Sequence, residues 1–516
     1  MRSHLGLSAG LAAFLAGTVS MLALASPAAA QAATPAPGAP NCEAVANAAL
    51  PEGEVTGVVP VPAGMFELTV RGNPVQYTDL PAFCRVSATL HPSPESNVNI
   101  ELWLPAGEAW NGRYVAVGNG GFAGTISTSA MVDPVRRGYA VSSTDTGHPP
   151  AAPGQGGDFA LNAELAIDFA YRAVHEMAVN SERLIDAFYS ETPQFSFFTG
   201  CSTGGRQAMA EVQRYPGDFD GVVAGAAAYW PTHLQGAQMW EYIINTQMPG
   251  GPLTQDQFTL LNEAVLAQCD MIDGVADRVI ENPNMCAFDP RSLVGNGLTA
   301  EQAEIAAAMY AGPMSAAGEP LYFPRTRGSE GQWFVTMGEN PLADAVGTFR
   351  YYVYMDPTWD FNTFDVERDV AYADSHVADL WNSNDPNISN FVMNGGKLLI
   401  YHGWADPGIT PYGSVAYYEA VQNAIGPAAD DSVRLFMVPG MGHCGGGNGP
   451  SSFDMLGAID AWVTNGQAPM SLPAAHLTDG VADRTRILCP YPQQAVYNGT
   501  GDPNDAASFS CQVVQQ

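Results

Sequence analysis

Phe195-Ser196-Phe197-Phe198 runs into Thr199-Gly200-Cys201-Ser202-Thr203-Gly204, and then into Gly205-Arg206-Gln207. An apolar run, a G-x-S-x-G turn and a helical pattern from Gly205 to Arg214 follow in that order, the strand–turn–helix context of a nucleophile elbow. Small residues on both sides of Ser202 permit the sharp turn, so its hydroxyl stands exposed at the carboxyl edge of a sheet. The helix after it aims the positive end of its dipole at the same place. Comparable β-rich runs lie on either side. They are Arg113–Val117 before Gly118-Asn119-Gly120-Gly121, Gly138–Ser142 before Thr144-Asp145-Thr146-Gly147-His148, Gly221–Gly225, Lys397–Tyr401 and Val433–Val438. Helical patterns such as Ala163 to Phe188 separate them. Strands alternating with helices predict an α/β sandwich with a mostly parallel sheet.

The alternation stops between about Tyr229 and Ser389, a stretch rich in Pro, Gly and aromatic residues. Short helices are expected there at Thr254–Cys269 and Thr299–Tyr310. Because β patterning resumes at Lys397, an insertion into the sheet core explains the break better than a separate domain. The chain of 516 residues is 46% hydrophobic, ample for a large core, and it has no internal repeat. Its net charge of -32, with Lys397 the only lysine, repels phosphate backbones and excludes a nucleic-acid partner.

Arg2, the apolar stretch Leu5–Leu24 and Ala28-Ala29-Ala30 before Gln31 have the pattern of a secretory signal peptide, residues 1–30, followed by a disordered leader, 31–41. No later stretch is apolar for long enough to span a bilayer. The mature protein is therefore expected to be secreted or periplasmic, with no membrane span. Eight cysteines fit an oxidising compartment, and none forms a C-x-x-C. They permit many disulfide pairings, and spacing alone selects none of them.

A serine hydroxyl needs a base held by an acid, and behind a nucleophile elbow the chain order is Ser, Asp or Glu, His. His443 lies in Pro439-Gly440-Met441-Gly442-His443-Cys444, after one strand, and Asp406 in His402-Gly403-Trp404-Ala405-Asp406, after another. Both loops fall at strand carboxyl ends, where the sites of open α/β sheets collect. His402 and His148 are rival bases, but both precede the acid, and His402 reads as a structural histidine. Cys201 precedes the nucleophile and Cys444 follows the base, so a disulfide between these loops is sterically plausible.

Gly200–Gln207, Tyr215–Gly225, Tyr401–Asp406, Val438–Cys444 and Leu488–Gln493 together resemble the tannase/feruloyl esterase family, which includes feruloyl esterases, tannases and monoterephthalate-ester hydrolases. The resemblance implies an α/β-hydrolase core (42–228 and 390–516) carrying a lid (229–389), and a triad of Ser202, Asp406 and His443. It further implies the disulfides Cys201–Cys444, Cys42–Cys84, Cys269–Cys286 and Cys489–Cys511. A structural calcium ion in the lid is implied too, and no organic cofactor. Asp270, Asp273 and Asp277 supply carboxylates at short spacing, and the carbonyls of Val275 and Val279 would help reach the roughly six to eight oxygens calcium takes.

The reaction expected is hydrolysis of a small aromatic ester through an acyl-enzyme. The oxyanion donors would be the N–H groups of Thr203 and of Gly121. Lid aromatics, among them Trp230, Trp240, Trp333, Tyr351, Tyr352 and Trp359, can build a pocket for a flat acid, and Phe349 is the expected ring contact by analogy with the family. Where monoterephthalate hydrolases place an arginine this chain has Ala345, with Arg350 nearby. That favours cinnamoyl esters, with galloyl and monohydroxyethyl-terephthalate esters as alternatives. An intact constellation argues against a non-catalytic binding module, and neither an acyl groove nor an amphipathic lid suggests a lipase.

Overall fold

The computed structural model describes residues 41–514 apart from 71, 123 and 151–155, so the expected signal peptide and all but the last residue of the leader lie outside it. Nine strands form the main sheet: β1 (Gly53–Val61), β2 (Phe83–Leu90), β3 (Val98–Pro105), β4 (Arg113–Val117), β5 (Ala140–Thr144), β6 (Phe195–Cys201), β7 (Gly221–Gly225), β8 (Lys397–Gly403) and β9 (Val433–Val438). Their spatial order is β1-β2-β3-β5-β4-β6-β7-β8-β9. The joints from β1 to β5 are antiparallel, and every joint beyond them is parallel. This is the mostly parallel sheet of an α/β-hydrolase.

β5 and β7 are buried at every residue, as expected for parallel strands covered on both faces. Alternation along β6 sends Phe198 to one face and Phe197 to the other. Helices α1 (Thr128–Arg136) and α9 (Met455–Asn465) cover the Phe197 face through Met131, Val135, Ile459 and Trp462. Helices α2 (Ala173–Tyr189), α3 (Thr203–Arg214) and α8 (Tyr412–Ile425) cover the other through Met177, Met209 and Val421.

Between Gly225 and Lys397 the chain adds no strand to the main sheet. It builds helices α4 (Pro231–Gln247), α5 (Gln255–Cys269), α6 (Ala300–Ala311) and α7 (Val366–Trp381) around their own apolar centres. Thr254 and Thr299 start α5 and α6 with capping boxes closed by Gln257 and Gln302. Cysteines pair as Cys42–Cys84, Cys201–Cys444, Cys269–Cys286 and Cys489–Cys511, the set the resemblance implies.

The structure departs from the sequence reading in two places. The strands β1–β3, which carry the antiparallel side of the sheet, were not anticipated. The single helix expected from Ala163 to Phe188 is interrupted by a π-helical turn, Asp168–Arg172. A physical cause is at hand: the buried Arg206 guanidinium takes the carbonyls of Phe169 and Ala170 at 3.0 and 2.6 Å, drawing that turn toward α3.

Candidate active site

Ser202 stands between the end of β6 and α3 with φ 66° and ψ -121°, a strained backbone of the kind that persists only where its surroundings impose it. Close approach explains the glycines around it. A Cβ on Gly200 would lie 2.5 Å from Gly204, and one on Gly205 would lie 2.4 Å from the Gly225 carbonyl, so neither position tolerates a side chain. The Ser202 N–H donates to Gly225 O at 3.0 Å, which ties the turn to β7.

Asp406 and His443 leave β8 and β9 on adjacent loops. His443 Nδ1 lies 2.7 Å from Asp406 Oδ2. The other carboxylate oxygen accepts the N–H groups of Gly408 and Ile409 at 2.8 and 2.9 Å. Burial alone would drive Asp406 toward its neutral form, but His443 and His402 outweigh it and hold the carboxyl well below the usual range. Burial also works against a charged His443, yet Asp406 prevails and raises the imidazole above its ordinary value, against a small opposing effect of Arg325. The outcome is an ionised acid that fixes the orientation of a partly exposed imidazole.

The loop carrying His443 is fastened to the elbow. Cys201 and Cys444 are bonded with a Cα–Cα distance of 6.0 Å across 243 residues of chain, so the segments that carry Ser202 and His443 are covalently joined one residue from each. The Gly118–Gly121 loop after β4 is fastened to the same elbow. Asn119 N–H donates to Gln207 Oε1 and Gln207 Nε2 donates to Asn119 Oδ1, both at 3.0 Å, while Gly204 N–H donates to Asn119 O at 2.8 Å. The Thr203 hydroxyl donates to Gly121 O at 2.9 Å, which brings the two expected oxyanion donors onto facing segments.

A model of the tannase and feruloyl esterase family matches residues 84–512. The chain belongs to that family. Among its relatives, an uncharacterised esterase of Xanthomonas campestris is 33% identical over 93% of this chain and 92% of its own length. Feruloyl esterase B of Aspergillus niger is 32% identical over 83% of this chain and 86% of its own. The crystal structure of feruloyl esterase B from Aspergillus oryzae superimposes with a TM-score of 0.85 at 30% identity, covering 92% of this chain and 100% of that one. This tannase-family protein is a carboxylic ester hydrolase.

The remaining expectations fall unevenly around the site. His402 is fully buried. Its Nε2 faces both Asp406 Oδ2 at 3.1 Å and the Ile409 carbonyl at 3.0 Å, and its Nδ1 faces Ser414 Oγ at 2.8 Å, so it braces the acid. His148 stacks on Phe159, in the aromatic cluster that also holds Phe122 and Phe169, and its Nδ1 faces the Pro149 carbonyl at 2.9 Å rather than Asp406. Phe349 is fully buried in the lid, its ring against Trp359 and Phe364. Ala345 is buried beside it, and Arg350 donates to Trp359 O at 3.2 Å.

The acidic loop has oxygen donors and surplus negative charge suited to calcium. Burial, reinforced by Asp277 and Asp270, pushes Asp273 up to about 6. The side chains, however, face their own backbone. Asp270, Asp273 and Asp277 accept the N–H groups of Asp277, Val275 and Val279, and Asp277 also pairs with Arg484 and Arg486. Among the described residues no three His, Cys, Asp or Glu side chains converge as a metal cluster.

Several supporting residues escaped the sequence reading. Arg325 and Glu241 form a buried pair at 2.7 Å, and Arg325 also reaches the Gly408 carbonyl at 3.3 Å. Thr326 donates to Trp404 O and Thr410 to Pro324 O, each at 2.6 Å, so a lid segment docks on the Asp406 loop. Only the neighbouring glutamine in Gly-Gly-Arg-Gln207 carried a signal, since a polar residue on the inner face of a helix invites a search for its partner.

Proposed function

We propose that this protein is an exported serine esterase that hydrolyses esters of aromatic hydroxy acids, with feruloyl and other hydroxycinnamoyl esters first and galloyl esters as the alternative. The observation that carries the reading is the 2.7 Å contact between His443 and an ionised, buried Asp406, on a loop bonded to the elbow that bears Ser202. The Ser202 oxygen attacks the ester carbonyl while His443 takes its proton. The tetrahedral intermediate collapses, and His443 returns the proton to the departing alcohol. Water then repeats the sequence on the acyl-enzyme, releasing the acid. Asp406 fixes the tautomer and offsets the imidazolium charge. The N–H groups of Thr203 and Gly121 receive the developing oxyanion.

Names of the feruloyl esterase relatives support the acyl group, and four disulfides support an oxidising compartment. Among the described residues no helix is long and apolar enough to cross a membrane. Purified protein should cleave methyl ferulate or methyl gallate faster than p-nitrophenyl butyrate and monohydroxyethyl terephthalate, and Ser202→Ala should lose all of it. Activity persisting in that variant would reject the mechanism.

Calcium in the lid is part of the same proposal. Asp270, Asp273, Asp277 and the carbonyls of Val275 and Val279 would hold it, and its charge would offset the burial and the neighbouring carboxylates that raise Asp273. Added calcium should raise the melting temperature of the wild type but not of Asp273→Asn; an unchanged wild type rejects the site.

A further inference from the structure

Two lid segments close on the loop that carries Asp406, and they do so with a buried ion pair. Gln238 and Glu241 are buried on α4 at a spacing that puts them on one face of the helix. Glu241 accepts from the buried Arg325 guanidinium through both carboxylate oxygens, Nε and Nη2 each donating at 2.7 Å. Arg325 Nη2 also donates to Gly408 O at 3.3 Å, and Gln238 Nε2 donates to the same carbonyl at 2.8 Å. The N–H of Gly408 in turn donates to Asp406 Oδ1 at 2.8 Å. One residue thus links the lid to the acid.

Stability does not explain such a pair. Desolvating two charges offsets most of their attraction, so a buried ion pair gives little over apolar side chains of the same size. Nor is the guanidinium's bonding complete, because its Nη1 is buried with no hydrogen-bond partner among the described residues. A positive charge not fully committed to Glu241 therefore stands beside the acid's loop. The titratable and charged groups around the His443–Asp406 contact are Arg325 and Glu241 from the lid, His402 behind the acid, and Tyr322, whose phenol burial pushes up. Of these, Arg325 is the charge that works against a protonated His443.

We propose that Arg325, clamped by Glu241, is a positioning residue that ties the lid to the triad, fixing the Asp406 loop through Gly408 and presenting a positive charge to the base. This rests on the reading of Ser202, His443 and Asp406 as a triad, and on no particular acyl group.

The test is the pH profile of kcat/KM, with kcat and KM also measured separately, on the faster of methyl ferulate and p-nitrophenyl butyrate. Arg325→Met/Glu241→Leu removes the pair without leaving a lone buried charge, so the fold should survive. Its kcat should fall about 10- to 100-fold, with KM within about threefold of wild type, because the acid's loop shifts while no substrate contact is lost. The acid limb of its profile should move to higher pH, since the charge opposing the imidazolium is gone. Arg325→Lys keeps the charge but not the two-pronged geometry, so its kcat should fall with the limb in place. Gln238→Leu removes only the other hydrogen bond to Gly408 and should behave like Arg325→Lys.

A double variant with wild-type kcat overturns the proposal. So does a fall in kcat with the limb unmoved, which a purely structural pair would give, and so does a change confined to KM. If the double variant does not fold, Arg325→Lys and Gln238→Leu decide, and wild-type kcat in both overturns the proposal. Turnover persisting in Ser202→Ala would instead reject the triad itself, whereas Ser202-dependent turnover unaltered by these substitutions rejects the clamp alone.

Discussion

Replacing Cys201 and Cys444 together by serine opens a loop of 243 residues and frees the segment that carries His443. In the chain-entropy limit a cross-link of that span contributes about 5 kcal/mol, against about 3 kcal/mol for the 22-residue Cys489–Cys511 loop. Both double variants should therefore melt earlier, so a loss of stability does not by itself show that either bridge positions the base. Activity should. The freed loop is rich in glycine, and Gly440, Gly446 and Gly447 have positive φ, as does Cys444 itself at 61°. Without the bridge, His443 is positioned chiefly by its bond to Asp406, and a displacement of about 1 Å at a reacting group can cost about 100-fold in rate. The assay is kcat on methyl ferulate per titrated active serine, well below the melting transition of each variant. We expect a fall of about 100-fold for Cys201→Ser/Cys444→Ser, with kcat within about threefold of wild type for Cys489→Ser/Cys511→Ser. Equal kcat in the two variants would refute the view that the bridge positions the base.

Asp406→Asn should keep the fold but lower kcat by about 10,000-fold, since an amide cannot hold the imidazole in its working tautomer; single-turnover acylation measures it. The pH dependence follows from the raised His443. The neutral imidazole is the working base, so kcat/KM should fall as pH drops through a midpoint above the ordinary histidine value, and a midpoint below that value would contradict the Asp406 pairing. The same shift stabilises the folded protein only at low pH and is lost as pH rises through that midpoint. Gln207→Ala removes both hydrogen bonds to Asn119 and should lower kcat about 10-fold with little change in KM, because the loop it steadies carries Gly121, the proposed oxyanion donor. A change confined to KM would place Gln207 in ground-state binding instead.

The elbow was legible because its chemistry is local: a strained serine between strand and helix needs small neighbours in immediate sequence. The proposed acid and base, Asp406 and His443, were legible because each follows an apolar β run. The antiparallel strands β1–β3 were harder to see. β1, for instance, alternates partly exposed residues with a proline and two glycines, and its pairing with β2 is a contact between distant segments. The π-helical turn at Asp168–Arg172 was hidden for a similar reason, because its cause is an arginine 36 residues away.

Sequence by itself singled out the residues proposed to carry the reaction, Ser202, Asp406 and His443, the cysteines beside two of them and the alternation that builds the sheet. Tertiary structure alone decided what surrounds those parts. It turned His402 into a brace for the acid, set Gln207 against Asn119 and buried Phe349 in the lid. The physical reason is that backbone propensity and elbow geometry act over a few residues, whereas the partner of a buried polar group is chosen by how segments pack in three dimensions.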